Sequence, residues 1–331
     1  MQQHLEHPRA LGKLALALAL VTAGLASPFT AHAAYPEKTV KMTIGYAPGS
    51  STDIIGRVVA QGLGDLWKQS VIVDSHPGAA GNIAADVVAK AAPDGYTILF
   101  AQNGTAISVA ANPHLPYNGL KDLIPVAQVA ATPHLLIINS QLPVKNVAEL
   151  TALAKKKPGE LSFGSSGVGN SDHMAGELYK VLAGVQALHV PYKGGAPAAT
   201  DLIAGQIQFY FAGMPVGMAQ YKGGKVRALA VTSVKRFPPL PEVPTMIESG
   251  VKDYDMTLWQ GVFLPASTPD AVVDFVTAST LKMLADPAMQ ERFAKAGVTV
   301  APLNRAEFAK MYFNDIARWK LVIPKAGIKL E

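Results

Sequence analysis

Apolar and polar positions along the chain keep switching between two rhythms. Residues 39–46 alternate as a half-buried strand does, and 52–67 carry apolar positions at helical spacing directly after a Gly-Ser-Ser loop. The succession returns with strand 71–74, turn 76–81 and helix 82–91. It returns again with strand 96–101, whose polar loop Gln102-Asn103-Gly104-Thr105 leads into a further helix. Strand, polar loop, helix predicts a parallel sheet covered by helices, with ligands beyond the carboxyl ends of the strands.

Residues 112–121 are irregular, and 126–138 are extended with an interruption at Pro133. A first crossing between two lobes is placed there. The rhythm then resumes: Asn146 with Glu149 caps a helix over 147–157, and strand 161–164, helix 171–184, strand 187–190, helix 197–204 and strands 207–211 and 227–232 follow. A proline-rich stretch, 237–244, precedes a return crossing at 258–265. Three tail helices, opened by Thr268-Pro269, Asp286-Pro287 and Asn304 with Glu307, are expected to pack back on the first lobe. The fold class is therefore α/β, two lobes each made of a sheet flanked by helices, with the ligand in the cleft between them. The expected organisation is a signal peptide over 1–33, lobe 1 over 34–135 plus 260–331, and lobe 2 over 136–259.

The first residues stand apart from this pattern. Arg9 and Lys13 precede the apolar run 14–25, and Ala31-His32-Ala33 is a small-x-small site, which predicts a signal peptide cleaved near Ala33 and a periplasmic location. An uncleaved anchor is the alternative, but the run is short for a spanning helix. At 49% hydrophobic and 16% charged over its 331 residues, the chain is globular rather than disordered. With no cysteine, disulfides, thiol nucleophiles and thiolate metal sites are excluded. His76, His114, His134, His173 and His189 show no paired ligand spacing, so neither metal nor cofactor is expected. The formal charge of +5, which becomes +4 without Arg9, Lys13 and Glu6, is too mild and scattered for nucleic acid. Its one run, Lys155-Lys156-Lys157, closes a predicted helix.

Two loops carry the candidate chemistry. In FGSSGVGNS, over 163–171, Gly164, Gly167 and Gly169 free the backbone, and Ser165, Ser166, Asn170 and Ser171 supply short polar groups where a helix opens. In IGYAPGSSTDIIGR, over 44–57, Gly49, Ser50, Ser51 and Thr52 do the same. Unpaired N–H groups and the helix dipole suit both turns to an anion without Lys or Arg. Ser50 and Asp53 form a capping pattern, and Arg57 is expected in a structural ion pair. The second loop misses a nucleotide-binding motif, having Asn170 where lysine is required. Asn103 and Thr105 add a third polar loop. Tyr46, Tyr192, Phe211 and Trp259 sit at strand ends or crossings, Tyr46 and Trp259 being the better pocket candidates. His173 is either a first-turn cap or a donor at the pocket edge. Ser171 with a distant His leaves a serine hydrolase of small esters or amides as an alternative, although no Gly-x-Ser-x-Gly elbow is present.

Tyr35-Pro36, YAPGSSTD at 46–53 with Arg57, HPGAAGN at 76–82, PDGY at 93–96, FGSSGVGNS with His173 and Gly176-Glu177-Leu178, HVPYKG at 189–194, RALAVT at 227–232, PEVPT at 241–245 and KAGI at 325–328 occur in this order. In this the chain resembles the Bug-type solute receptors of tripartite tricarboxylate transporters. The resemblance implies a two-lobed periplasmic binding protein fold, type II-like, that captures a small carboxylate and presents it to membrane permease subunits. It places ligand contacts on 49–52 and 165–171. Separately, a monomer is expected. Ser50-Ser51 stands where the family has Gly-Gly, His76 where an Arg is frequent, and Ala212-Gly213 where an acid follows the strand. The expected ligand is a mono-, di- or tricarboxylate, and the missing acid favours plain mono- or dicarboxylates, aromatic ones included, over amino acids. A sensor subunit of a membrane signalling system is a further alternative.

Overall fold

An apolar stretch with two prolines makes the strand on which the sheet is built. This strand, β4 (Leu123–Asn139), is 17 residues long, and Leu135, Leu136, Ile137 and Ile138 are all buried, as befits a strand covered on both faces. Register irregularities lie beside Pro125, which lacks a donor for the ladder. The computed structural model describes residues 35–325 and Ile328; the expected signal peptide lies outside the described residues. Residues from Lys38 onward form one unit.

The other strands are β1 (Val40–Ile44), β2 (Val71–Ser75), β3 (Thr97–Gln102), β5 (Ser162–Ser165), β6 (Leu188–Pro191), β7 (Phe209–Gly213), β8 (Val226–Val231), β9 (Thr257–Pro265) and β10 (Val300–Leu303). They join in the order β2-β1-β3-β9-β4-β7-β5-β6, with β8 and β10 also on β4. Strands β1, β2 and β3 pair in parallel, as do β5, β6 and β7, while β4 and β9 run antiparallel to their neighbours. Up to Pro133, β4 pairs with β9; from His134 onward it pairs with β7, and from Leu135 also with β8. One strand therefore belongs to both halves of the sheet.

Helices α1 (Ser51–Trp67), α2 (Asn82–Ala89) and α3 (Asn103–Ala111) follow β1, β2 and β3, whereas α5 (Ser171–Ala183), α6 (Gly195–Ile203) and α7 (Met214–Lys222) follow β5, β6 and β7. The remaining helices are α4 (Val147–Lys156), α8 (Asp270–Ala285), α9 (Pro287–Lys295) and α10 (Arg305–Lys325). Their starts obey the expected caps: Ser50 accepts from Asp53 N at 3.2 Å, and Asn146 from Glu149 N at 2.9 Å. Helix α7 and strand β10 are additions to the expected pattern. Helix α10 reaches both cores, placing Phe308 and Tyr312 against Trp259 and Phe263, and Trp319 among the residues around Phe163, Phe209 and Tyr254.

Gly45, just past β1, lets two backbone segments touch. A Cβ there would lie 2.3 Å from the Cα of Gly81 and 2.8 Å from its carbonyl oxygen, and neither atom can rotate away. Gly45→Ala is therefore expected to lower unfolding free energy by about 1–3 kcal/mol, read as a lower urea midpoint at unchanged slope.

Candidate functional site

Every strand–helix turn on the carboxyl edge of both parallel groups leaves main-chain amides at the helix start without a helical acceptor. Five of these starts meet at one small polar cavity of about 20 Å³, room for a single water-sized group. Its wall takes Ser50, Ser51 and Thr52 from α1, Gln102 from the cap of α3, Ser171 and Asp172 from α5, Gly195 from α6, and Gly213 from the cap of α7. Tyr46, His134, Ser166, Tyr210 and Leu258 complete it, and no Lys or Arg does. The two halves meet closely here: a Cβ on Gly213 would lie 2.3 Å from Ser51 Oγ.

The first turn is braced from within. Asp53 accepts from Gly49 N at 2.9 Å and takes the Arg57 guanidinium on both carboxylate oxygens, at 2.9 and 3.0 Å, so Arg57 is the expected structural ion pair. Thr52 Oγ1 donates to Gln102 Oε1 at 2.9 Å and accepts from Gln260 Nε2 at 3.3 Å. The amides of Ser51 and Thr52, in the first turn of α1, have no acceptor within the helix. Tyr46 donates to the Ala80 carbonyl at 2.9 Å, and its buried hydroxyl is held neutral by desolvation. A Cβ on Gly104 would stand 2.7 Å from that same hydroxyl, which is why the start of α3 can seat so near.

The second turn is organised around Asp172. Its Oδ2 accepts from Ser166 N at 2.7 Å and from the Tyr210 hydroxyl at 3.0 Å, and its Oδ1 accepts from His173 N at 2.9 Å. Burial pushes this carboxyl up, and the donors from Ser166, Tyr210 and His173 pull it back. Gly167 and Gly169 take the positive φ values expected of them, 139° and 77°. Gly164 serves packing instead, since a Cβ would meet Ile207 at 2.5 Å.

A larger cavity of about 580 Å³ shares Tyr46 and Ser166 with the polar one. Gly45, Ala47, the turn 77–80, Gly167, Val168, Asn170, Tyr192, Lys193 and Gly194 line it. Its walls are largely apolar, with one cation at Lys193.

Of the residues singled out from the sequence, Tyr46, Ser50, Ser51, Thr52, Ser166 and Ser171 line the polar cavity, while Asn170 and Tyr192 line the wider one. Gly167 also lines the wider one, whereas Gly49, Asn103, Thr105, Ser165, His173 and Trp259 line neither. Gly49 lies behind the first turn, and Ser165 Oγ meets His189 Nε2 at 2.6 Å. His173 accepts from Gly169 N at 3.1 Å through Nδ1 and stacks on His189 with centroids 3.8 Å apart. Asn103 is turned to the Thr257 carbonyl at 3.0 Å, and Thr105 is buried inside α3. Trp259 donates to Asp315 at 2.7 Å, on the side of α10.

Gln102, His134, Asp172, Tyr210 and Gly213 were not among the candidates. Asp172 directly follows the loop 163–171 and Gln102 opens the third, so adjacency pointed to both. His134 and Tyr210 sit within β4 and β7, where only the pairing of distant strands reveals them. Among the described residues no three His, Asp or Glu side chains gather as a metal site requires.

Ser171 Oγ lies 3.0 Å from His134 Nε2, the contact a serine nucleophile needs. Burial, however, pushes His134 down to about 3, and no carboxylate among the described residues bonds its other ring nitrogen. A base that weak, without an orienting acid, does not form the usual triad.

Two α/β halves sharing a strand, with a cleft at the carboxyl ends of their strands, define a periplasmic binding protein fold. Residues 55–328 match the family described as the tripartite tricarboxylate transporter family receptor, TctC. The chain is 33% identical over 314 residues to the protein BugT of Bordetella pertussis, covering 94% of this chain and 96% of BugT. A structure from R. palustris with adipate aligns with TM-score 0.86 at 32% identity, over 89% of this chain and 99% of that one. MatC from Rhodopseudomonas palustris with bound malate aligns with TM-score 0.82 at 29% identity, over 87% and 100%. The chain belongs to this receptor family, as its loops suggested.

Acid is expected to loosen the fold through the buried histidines. Desolvation pushes both His134 and His173 down to about 3. From pH 6.5 down toward that value the unfolded chain binds protons that the folded chain refuses, so stability falls with pH. Each residue contributes about 1.4 kcal/mol per pH unit. Asp172 and Asp315, whose carboxyls burial pushes up, offset part of this. Urea midpoints are expected to fall between pH 7 and pH 5, and less steeply in His173→Gln.

Proposed function

We propose that this chain is a periplasmic receptor that closes two hinged lobes on a small carboxylate and delivers it to the permease of a tripartite tricarboxylate transporter. One observation carries the reading: five helix starts face a single cavity whose wall holds no Lys or Arg. Aligned peptide dipoles place about half a positive charge at each start, and a carboxylate oxygen there meets donors without a buried counter-charge. About four charge-assisted hydrogen bonds at roughly 2 kcal/mol each supply about 8 kcal/mol, the scale of micromolar binding when the site is pre-shaped.

The wider cavity suits the rest of the ligand. Ala47, Pro77, Ala79, Ala80 and Val168 accept a carbon chain or ring, and Lys193 meets a second carboxylate. Relatives solved with adipate and malate support acids of that kind. We divide the lobes at the change of partners in β4 near Pro133 and at the start of β9, Thr257, because the strand pairing changes there. Closure by bending there is favoured by a ligand that binds the closed state better. Export rests on the signal pattern of residues 1–33, and no described helix is long and apolar enough to cross a membrane.

Denaturing the purified receptor and identifying the released acid by mass spectrometry names the ligand. Against that acid, or adipate, Ser51→Ala and Ser166→Ala are each expected to weaken binding about tenfold by calorimetry, with little change in melting temperature. Unchanged affinity in both variants rules these turns out as the site. Hydrolysis through Ser171 is the second reading, favoured by the His134 contact. A serine-directed fluorophosphonate is expected to leave the protein unlabelled, and stoichiometric labelling of Ser171 reverses the assignment.

A further inference from the structure

Asp172 is the one carboxylate in the wall of the polar cavity, and it is 3% exposed. Ser166 N, His173 N and the Tyr210 hydroxyl all donate to it. The second turn has therefore aimed its donors at an anion that the chain itself supplies, within the cavity where the receptor reading puts the anion of the ligand.

Among the described residues no cation faces this carboxylate from any side of the cavity. Tyr46, at the end of β1, and Tyr210, on β7, are held neutral by burial. His134, on β4, touches Ser171 and stays neutral, as does His173 on the same helix as Asp172. On α1 the acid Asp53 is engaged by Gly49 N and Arg57 and lies outside the wall. Lys193 belongs to the wider cavity.

Two carboxylates brought together in so small a space do not both stay ionised; one is forced to take a proton. A ligand ammonium is the other way to neutralise Asp172, but an ammonium has three donors to satisfy. Asp172 already accepts three bonds, Gln102 Oε1 accepts from Thr52, and the surrounding helix starts offer amides, which only donate, beside serine hydroxyls, which are weaker acceptors for a cation than a free carboxylate. The wall favours an oxygen anion.

We propose that Asp172 and the ligand's carboxylate hold one proton between them, so that the receptor takes up a proton as it binds and releases its ligand more readily as the medium turns alkaline. The proton comes from solvent and bridges an oxygen of Asp172 and an oxygen of the ligand; no covalent bond changes. This inference rests on the receptor reading. It assigns Asp172 the discrimination between a carboxylate, which can share a proton, and a fixed anion such as a sulfonate, which cannot.

The test starts from thermal-shift measurements on mono- and dicarboxylic acids of about three to eight carbons, their sulfonate analogues and the matching α-amino acids. The carboxylate giving the largest shift is then titrated calorimetrically between about pH 6.5 and 8.5, in paired buffers of different ionisation enthalpy. In that window the free acid is ionised and the buried histidines stay neutral. Uptake approaching one proton is expected, with affinity falling about tenfold per pH unit, and both effects vanish in Asp172→Asn. Should that variant fail to fold, the paired-buffer result on the native protein decides alone. Binding without proton exchange overturns the proposal, and so does an α-amino acid that binds while its deaminated analogue does not. If no acid shifts the melting temperature, the receptor reading fails first and this proposal with it.

Discussion

Main-chain amides at the beginning of a helix have no partner inside that helix, and this chain brings five such beginnings to one place. The arrangement follows from connectivity. A strand followed at once by a helix puts the helix start on the carboxyl edge of a parallel sheet, and the chain does this three times before β4 and three times after it. Because β4 pairs with both halves, the two edges are held facing each other. The attraction for an anion is then a property of the backbone. It survives without a single Lys or Arg in the wall.

Side chains tune that field. The Asp53–Arg57 pair stiffens the first turn while keeping its charges out of the cavity, and Asp172 does the reverse, placing a carboxylate inside it. The histidines near the second turn serve as neutral packing and hydrogen-bond acceptors. His173 lies on His189, and His134 meets Ser171, each pushed down by burial into a range where it carries no charge at neutral pH.

Much of this was legible in the amino-acid sequence wherever local chemistry decides. The glycine and serine turns, the caps at Ser50 and Asn146 and the pairing of Arg57 with Asp53 depend on residues a few positions apart. Positions that depend on distant strands were not legible. His134 lies mid-strand, and only the pairing of β4 with β7 brings it to Ser171. Asn103 and Thr105 have the right chemistry at a helix start, but the tie from Asn103 to β9 and the burial of Thr105 keep their side chains off the wall. Helix α7 was missed because Met214, Val216, Gly217 and Met218 make no clear apolar stripe. Asp172 was in plain view between Ser171 and His173; a carboxylate inside an anion-seeking turn makes sense only once Tyr210 is seen to close over it.

The wider cavity has a different origin from the polar one. Much of its wall comes from two short turns, 77–80 and 192–194, that carry no strand pairing of their own. Changing those few side chains reshapes the room in the wider cavity while the strand pairing and the five helix starts stay as they are.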